Sequence, residues 1–340
     1  VVSPGVQAPI SIRRRVKRMV KAILLSLSGT AALVIDLACR LSGRRAGAVL
    51  VYHRIGSASS SSEPELIPSL TVERFESHIA RLDASYEIVP PSEILDAVRS
   101  RRRGQRFPLA ITFDDDVPHH VRNAMPALRR QGVNGAFFLC GASLEQPFGF
   151  WWERLFRVWG NGGLEESLRA ELTPVGVRAP VDNIDLLQEA IEELPPGRRH
   201  ALADRLGELA GPDPDDSGLR AEDVRRLIEG GMEVGFHTVR HDILTGLEDE
   251  ALAAAMRDGR AEVEEAAGGP LRTIAYPNGR ADRRVADAAR EAGFELGFTA
   301  FGRAVDPEGD PLLVDRIDAR FQHAGVLAYR VARALWRSPR

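Results

Sequence analysis

Between residues 110 and 116 the chain reads Ala-Ile-Thr-Phe-Asp-Asp-Asp, an apolar, β-branched run that stops abruptly in three acids. Such a run has the composition of a buried strand, so its end must deliver the acids to a cleft or to solvent. Adjacent carboxylates repel and are costly to bury, and a fold that keeps them together recruits a cation or shares a proton among them. Taken alone, the cluster also fits a helix start or a solvated turn, because acids favour helix N-termini. A second apolar run, Met232 to Phe236, ends at His237, with His241 four residues on. Two imidazoles and one carboxylate with open coordination positions make a hydrolytic zinc-type or non-haem metal centre. A His pair at this spacing is also common at surfaces and in cores. Both clusters, however, follow strand patterns, and strand C-terminal ends are where α/β folds place chemistry.

From Ala48 onward short apolar runs alternate with amphipathic segments, the pattern of repeated βα units around parallel strands. Strands are expected at residues 48–53, 86–89, 108–113, 135–140, 232–236, 272–276 and 295–299, a set that suits a deformed (β/α)7-type barrel. Residues about 144–218 break the rhythm and predict an inserted helical subdomain. Its first helix is aromatic-rich, and helical spacing places Trp152, Phe156 and Trp159 in the subdomain core, leaving Trp151 as a candidate stacking surface. The C-terminal Val326 to Trp336 is amphipathic and Arg-rich and carries no evident chemistry.

The segment 1–46 precedes the barrel pattern. Arg13, Arg14, Arg15, Lys17 and Arg18 lead into an apolar stretch that Lys21 and Asp36 interrupt, leaving it short of the roughly 20 clean residues of a membrane span. No small-x-small cleavage site follows it, and Cys39 lacks a lipobox. Val20, Ile23, Leu24, Leu27, Ala31, Val34, Ile35, Ala38 and Leu41 recur at three- and four-residue steps, so an amphipathic helix is expected, packed on the catalytic domain or lying on an anionic membrane. The expected location is cytoplasmic or peripherally membrane-associated rather than exported. A net charge of −3 with scattered arginines gives no nucleic-acid surface, and only Cys39 and Cys140 are present, so no disulfide framework is possible.

The motifs resemble those of the polysaccharide deacetylases of the NodB-homology group, carbohydrate esterase family 4. Thr112, Phe113, Asp114, Asp115 and Asp116 are similar to the family's Thr-Phe-Asp-Asp-Gly, with an acid in place of Gly. His237, Thr238 and His241 match its His-Ser/Thr-x-x-His. Ala275, Tyr276, Pro277, Asn278 and Gly279 are similar to the later part of its third motif, in the variant of the exopolysaccharide deacetylases. Val49 to Ile55 also resembles the first strand of that branch, and the likeness extends over residues 48 to 320.

The resemblance implies a divalent metal, zinc by default with Co2+, Ni2+ or Fe2+ compatible, held by Asp115, His237 and His241. It also implies Asp114 as the base and the backbone of Asn278 as an oxyanion donor. Alternation of side chains along a strand points to the same division, since Asp114 and Asp115 would face opposite ways. Asp116 is expected as a helix cap or a partner of a ligand histidine. Tyr276, Pro277, His53 and Trp151 are candidate substrate contacts. Ala275 stands where the family has the Arg that orients the catalytic acid, and Arg316 is the candidate replacement. No Leu-x-His motif is found, so the general acid is unassigned. The expected protein is a metal-dependent N-deacetylase releasing acetate from an N-acetylated amino sugar in a glycan or glycoconjugate. The alternatives are an inactive carbohydrate-binding relative, or a deacetylase of a small acylated metabolite or lipid-linked sugar.

Overall fold

The computed structural model describes residues 29–56, 69–160, 183–320 and 323–338, with Arg169, Leu172, Thr173 and Gly176 between them. The basic cluster Arg13 to Arg18, Lys21 and the first half of the expected N-terminal stripe lie outside the described residues. Parallel strands β1 (Ala48–Tyr52), β2 (Glu87–Ile88), β3 (Pro108–Asp114), β4 (Ala136–Leu139), β5 (Glu233–Phe236), β6 (Thr273–Ala275), β7 (Leu296–Phe298) and β8 (Ile317–Asp318) form one sheet. Its order is β7-β6-β5-β4-β3-β1-β8, with β2 branching from the start of β3. Every pairing between these strands is parallel. A single bridge from Val314, just ahead of β8, to Phe298 links the two ends, so the sheet curls into a deformed barrel.

The expected strands are all present, each end within one residue of its expected position. The eighth, β8, was not foreseen, because two residues flanked by Asp315, Arg316 and Arg320 carry no apolar run to read.

Helix α1 is described over residues 29–41. It is followed by α2 (Val72–Ser85), α3 (Ile94–Ser100) and α4 (Met125–Arg130). The insertion contains α5 (Trp151–Gly160), α6 (Ile184–Glu192) and α7 (Pro196–Ala210). After it come α8 (Ala221–Glu229), α9 (Asp249–Ala255), α10 (Arg260–Ala267), α11 (Arg283–Glu291) and α12 (Ala324–Arg337). Alternation along the strands divides the core. Leu109, Ile111 and Phe113 of β3 face the surrounding helices together with Leu50, Tyr52, Phe75, Phe137 and Leu227. There Phe113 stacks on Phe137 at 4.5 Å and on Tyr52 at 5.6 Å. Each such buried ring contributes about 2 kcal/mol by removing apolar surface from water. Ala110 turns the other way, to an inner cluster with Val49, Ala136, Phe138, Ala275 and Phe298. Thr112 and Asp114 share that inward parity, which carries the acid into the barrel mouth.

The insertion has its own core, in which Trp151, Leu155 and Val158 of α5 meet Leu187, Ile191, Leu202 and Leu206. Its phase differs by one residue from the expected Trp152, Phe156 and Trp159. Two neighbouring stripes of α5 are apolar, and the Leu and Val stripe fills the interior while the aromatic stripe is left at the rim. Helix α1 is likewise apolar on two faces. Ala32, Ile35 and Cys39 face inward, Ala32 and Ile35 against Ala328 and Ala332 of α12, whereas Leu33, Val34, Leu37 and Leu41 are exposed. Asp36, read as a polar interruption, is buried and pairs with Arg40 at 2.8 Å. Cys39 and Cys140 are both free. Among the described residues no helix is long and apolar enough to cross a membrane.

Candidate active site

β3 ends at Asp114, and the chain then turns sharply, with Asp115 in the left-handed region at φ 73°. Thr238 (φ 60°), His241 (φ 51°) and Asn278 (φ 55°) are the other non-glycine residues with positive φ among the described residues. All four fall in the motifs singled out from sequence. Such conformations cost a non-glycine residue of order 1 kcal/mol or more and persist where surrounding contacts impose them. At Asp115 the contact is His120, fully buried in the wide helical turn His120–Ala124. Its Nε2 donates to the carbonyls of both Asp114 and Asp115, at 3.0 Å each. Burial pushes its pKa down to about 4, so the clamp is a neutral imidazole. His120 was not foreseen: its partners are backbone carbonyls, which leave no mark in a sequence.

The turn overrides strand alternation. Asp114 and Asp115 do not face opposite ways, because His237 Nε2 lies 3.9 Å from Asp114 Oδ2 and 3.6 Å from Asp115 Oδ1. Asp116 neither caps a helix nor bonds to His237 or His241. Its Oδ1 accepts from the amides of Cys140 (2.8 Å) and Gly141 (3.3 Å), and its Oδ2 from Ser143 Oγ (3.3 Å), which fixes the start of the insertion.

His237 follows β5, and its Nδ1 donates to the carbonyl of Ala275 at 2.8 Å, leaving Nε2 unprotonated toward the carboxylates. His241 Nε2 is 3.5 Å from Asp115 Oδ1. One donor atom from each of Asp115, His237 and His241 lies within 4.8 Å of the others. Asp115 Oδ1 is buried and has no hydrogen-bond partner. Burial, then the neighbouring Asp114 and Asp116 carboxylates, drive the Asp115 pKa well above the usual range. Burial lowers both histidines, His241 further through His237. An orphaned carboxylate oxygen facing two neutral imidazoles is the donor set that a divalent cation satisfies.

Asp114 has a different environment. Arg316, fully buried just before β8, reaches across the barrel and donates from Nη1 to Oδ1 and from Nη2 to Oδ2, both at 2.7 Å. Its Nη1 also reaches Thr112 Oγ1 at 3.2 Å, and Nε donates to the Thr299 carbonyl at 3.0 Å. Burial alone would raise the Asp114 pKa. The guanidinium, with His237 and His53, instead holds it far below the ordinary carboxylate range.

His53 follows β1, half-buried, with its Nδ1 enclosed and without a partner. Burial lowers its pKa against the pull of the Asp114 and Asp318 carboxylates. Asn278 is exposed and borders a cleft with His241, Trp151, Trp152, Glu192 and Arg199. Tyr276 and Pro277 do not offer side chains to this cleft. Both are buried, and the Tyr276 hydroxyl donates to the Leu312 carbonyl at 2.8 Å beneath the sheet end. Trp151, the expected stacking residue, lies mostly in the insertion core. Trp152 is the ring that meets the site, edge-to-face with His241 at 4.8 Å.

A family model described as polysaccharide deacetylase matches residues 101–297, more than half of the chain. The chain belongs to the polysaccharide deacetylase family. It is 20% identical over 252 residues to the putative polysaccharide deacetylase YxkH of Bacillus subtilis (strain 168), across 74% of this chain and 63% of the relative. The chain thus spans less than two thirds of that relative's length. Among solved structures, it is similar to the Streptococcus pyogenes deacetylase PplD in complex with acetate. That match has a TM-score of 0.55 and 16% identity, covering 84% of this chain and 98% of the other. IcaB from Ammonifex degensii matches with a TM-score of 0.55 and 19% identity, over 84% and 97% of the two chains. These likenesses show a shared fold, the deformed barrel.

Proposed function

We propose that this chain is a metal-dependent N-deacetylase that hydrolyses the acetamide of an amino sugar within a glycan or glycoconjugate and releases acetate. The observation that carries the reading is the division of labour between adjacent acids: Asp115 faces His237 and His241 unpaired, while Asp114 is gripped at both oxygens by Arg316. Asp115, His237 and His241 would hold the cation, zinc by default, with cobalt, nickel or iron compatible with the same donors. A divalent cation there supplies Lewis acidity to the acetyl carbonyl and to water.

The remaining steps belong to the chain's own side chains. Asp114, kept ionised and oriented by Arg316, takes the proton from the attacking water. The backbone N–H of Asn278, presented by the left-handed turn at the cleft edge, donates to the oxyanion as the carbonyl becomes tetrahedral. The departing nitrogen needs a proton, and His53, whose ring feels the Asp114 carboxylate, is our candidate to pass on the proton that Asp114 takes from the water. Trp152, Glu192 and Asn278 line the side on which neighbouring sugar would lie.

An inactive carbohydrate-binding relative is the main rival, prompted by the missing Arg at position 275 and by the missing Leu-x-His motif. Arg316 supplies a guanidinium to Asp114 from just before β8, which removes the first of these reasons. The test is acetate release by metal-reconstituted protein across mono- and oligosaccharides of N-acetylated amino sugars, alongside small acetylated metabolites. Asp114→Asn should retain the metal and lose on the order of 10²-fold or more in turnover. Asp115→Asn should lose metal affinity instead. Wild-type protein that holds metal and releases no acetate from any sugar would overturn the substrate class.

A further inference from the structure

The insertion meets the barrel at a buried charged contact that the chemistry itself does not require. Asp242, next in the chain after His241, accepts at Oδ1 from Arg199 Nη2 at 2.6 Å and from His200 Nε2 at 2.8 Å, and at Oδ2 from the same His200 nitrogen at 3.1 Å. The side chains of Arg199 and Asp242 are each only 5% exposed. Arg199 Nη1 also donates to the carbonyl of Glu192 at 3.0 Å, so one guanidinium closes the end of α6 and grips the loop behind His241. Arg240 Nη1 reaches His200 Nδ1 at 3.3 Å, which leaves Nε2 as the protonated nitrogen facing Asp242. On the other flank Trp152 stands edge-to-face on His241, and Phe150 stacks on Trp152 at 4.6 Å.

His241 needs this support. Its backbone is left-handed, as is that of Thr238 three residues earlier, and within the turn the His241 amide donates to Thr238 O at 3.2 Å. A histidine so placed relaxes toward an ordinary conformation unless something outside the turn prevents it. Trp152 of α5, Phe150 just before it and His237 face the His241 ring, and α7 reaches the adjacent Asp242 through Arg199 and His200.

We propose that Arg199 and Asp242 are a positioning pair, through which the inserted subdomain holds His241 in its metal-binding orientation and so belongs structurally to the metal centre. The inference rests on the metal site of the proposed function. Breaking the pair frees the loop while leaving Asp115 and His237 in place, so metal should bind more weakly rather than not at all. Partners that orient metal ligands typically contribute roughly 10- to 100-fold in affinity.

The test uses Co2+ as the probe on the full chain, reading its visible absorption and its affinity by chelator competition. Arg199→Met and the milder Asp242→Asn should weaken Co2+ binding by roughly 10-fold or more and alter the cobalt bands, with Arg199→Lys partly restoring both. Leu206→Ala is the control: it hollows the insertion core on the same helix without touching Asp242, and should lower the melting temperature while leaving cobalt affinity within about twofold. If Arg199→Met does not fold, Asp242→Asn carries the same reading. Either variant, folded and with the wild-type spectrum and affinity, would overturn the proposal. Wild-type protein that takes up no stoichiometric Co2+ would overturn the metal reading itself, and this inference with it.

Discussion

Asp114 and Asp115 are adjacent, buried and yet opposite in their acid–base behaviour, and the difference comes from their neighbours alone. Arg316 stabilises the charged form of Asp114, whereas burial and the Asp114, Asp116 and Glu153 carboxylates oppose that of Asp115 and outweigh the pull of Arg54. Lysine at position 316 keeps the charge but cannot make the paired contact, so Arg316→Lys should let the Asp114 pKa rise. The acidic limb of the kcat/KM profile should therefore move to higher pH, with turnover lower by on the order of 10-fold. An unmoved limb would mean that Asp114 is not the titrating base. At the metal the sign is set by Asp115. Its pKa is raised in the metal-free protein, so binding must expel a proton that is held to unusually high pH, while the lowered histidines offer none above the acidic range. Affinity for Zn2+ should rise about 10-fold per pH unit below the Asp115 pKa, with about one proton released per ion, measurable by calorimetry in buffers of different ionisation enthalpy. The carboxylates and histidines were legible in the sequence because their residue types are scarce at strand ends. What bends Asp115 into the site was not, since His120 acts on carbonyls. Arg316 was legible only as a question, because its partner lies 202 residues away.

At the scale of elements, sequence periodicity located the segments and misjudged which face of two of them is covered. Both α1 and α5 have two apolar stripes, and periodicity alone does not choose between stripes of equal hydrophobicity. In α5 the choice bears on the site, because it sets Trp152 rather than Trp151 against His241. In α1 it decides where the chain can be cut. The barrel pattern begins only at Ala48, and sequence alone would therefore expect a core left intact by removal of residues 1–46. Helix α1, however, covers Ala328 and Ala332, and the carbonyls of Arg40 and Arg44 accept from the buried Arg101. Removing 1–46 should thus expose α12 and leave Arg101 with unsatisfied donors, giving an aggregating protein. Removing 1–28 should leave a folded, active one. The outer face of α1, with Leu33, Val34, Leu37 and Leu41 exposed, is then available to lipid. We propose that it contacts anionic membrane with help from the basic residues Arg13 to Arg18. Flotation with anionic liposomes should show binding by the full chain that weakens when 1–28 is removed. Equal flotation of both forms with neutral and anionic vesicles would remove the electrostatic part of that reading, and no flotation would remove all of it.

Across the whole molecule, the site is assembled from parts with separate cores. The barrel carries Asp114, Asp115, His237 and Arg316, while the insertion, organised around Trp151, Leu187 and Leu206, contributes Trp152 and Arg199 from outside. That two-core arrangement could be anticipated, since the insertion interrupts the βα rhythm with its own helical pattern. The way the cores join could not, because it depends on Arg199 and Asp242, two ordinary charged residues 43 positions apart. If the join is mechanical, metal binding at His241 must be felt by α7. Filling the site should then slow amide exchange in the loop 237–242 and in α7 around residues 196–206, because local opening of either would cost the binding energy of the ion. Helix α12, on the opposite connection of the fold to β1 and α2, should exchange unchanged. Hydrogen exchange of the metal-free and Zn2+-loaded protein measures this directly. In Arg199→Met the protection should remain in the loop and vanish from α7. Protection confined to the loop in the wild type would show instead that the two cores open independently and that the insertion serves only as a wall of the cleft.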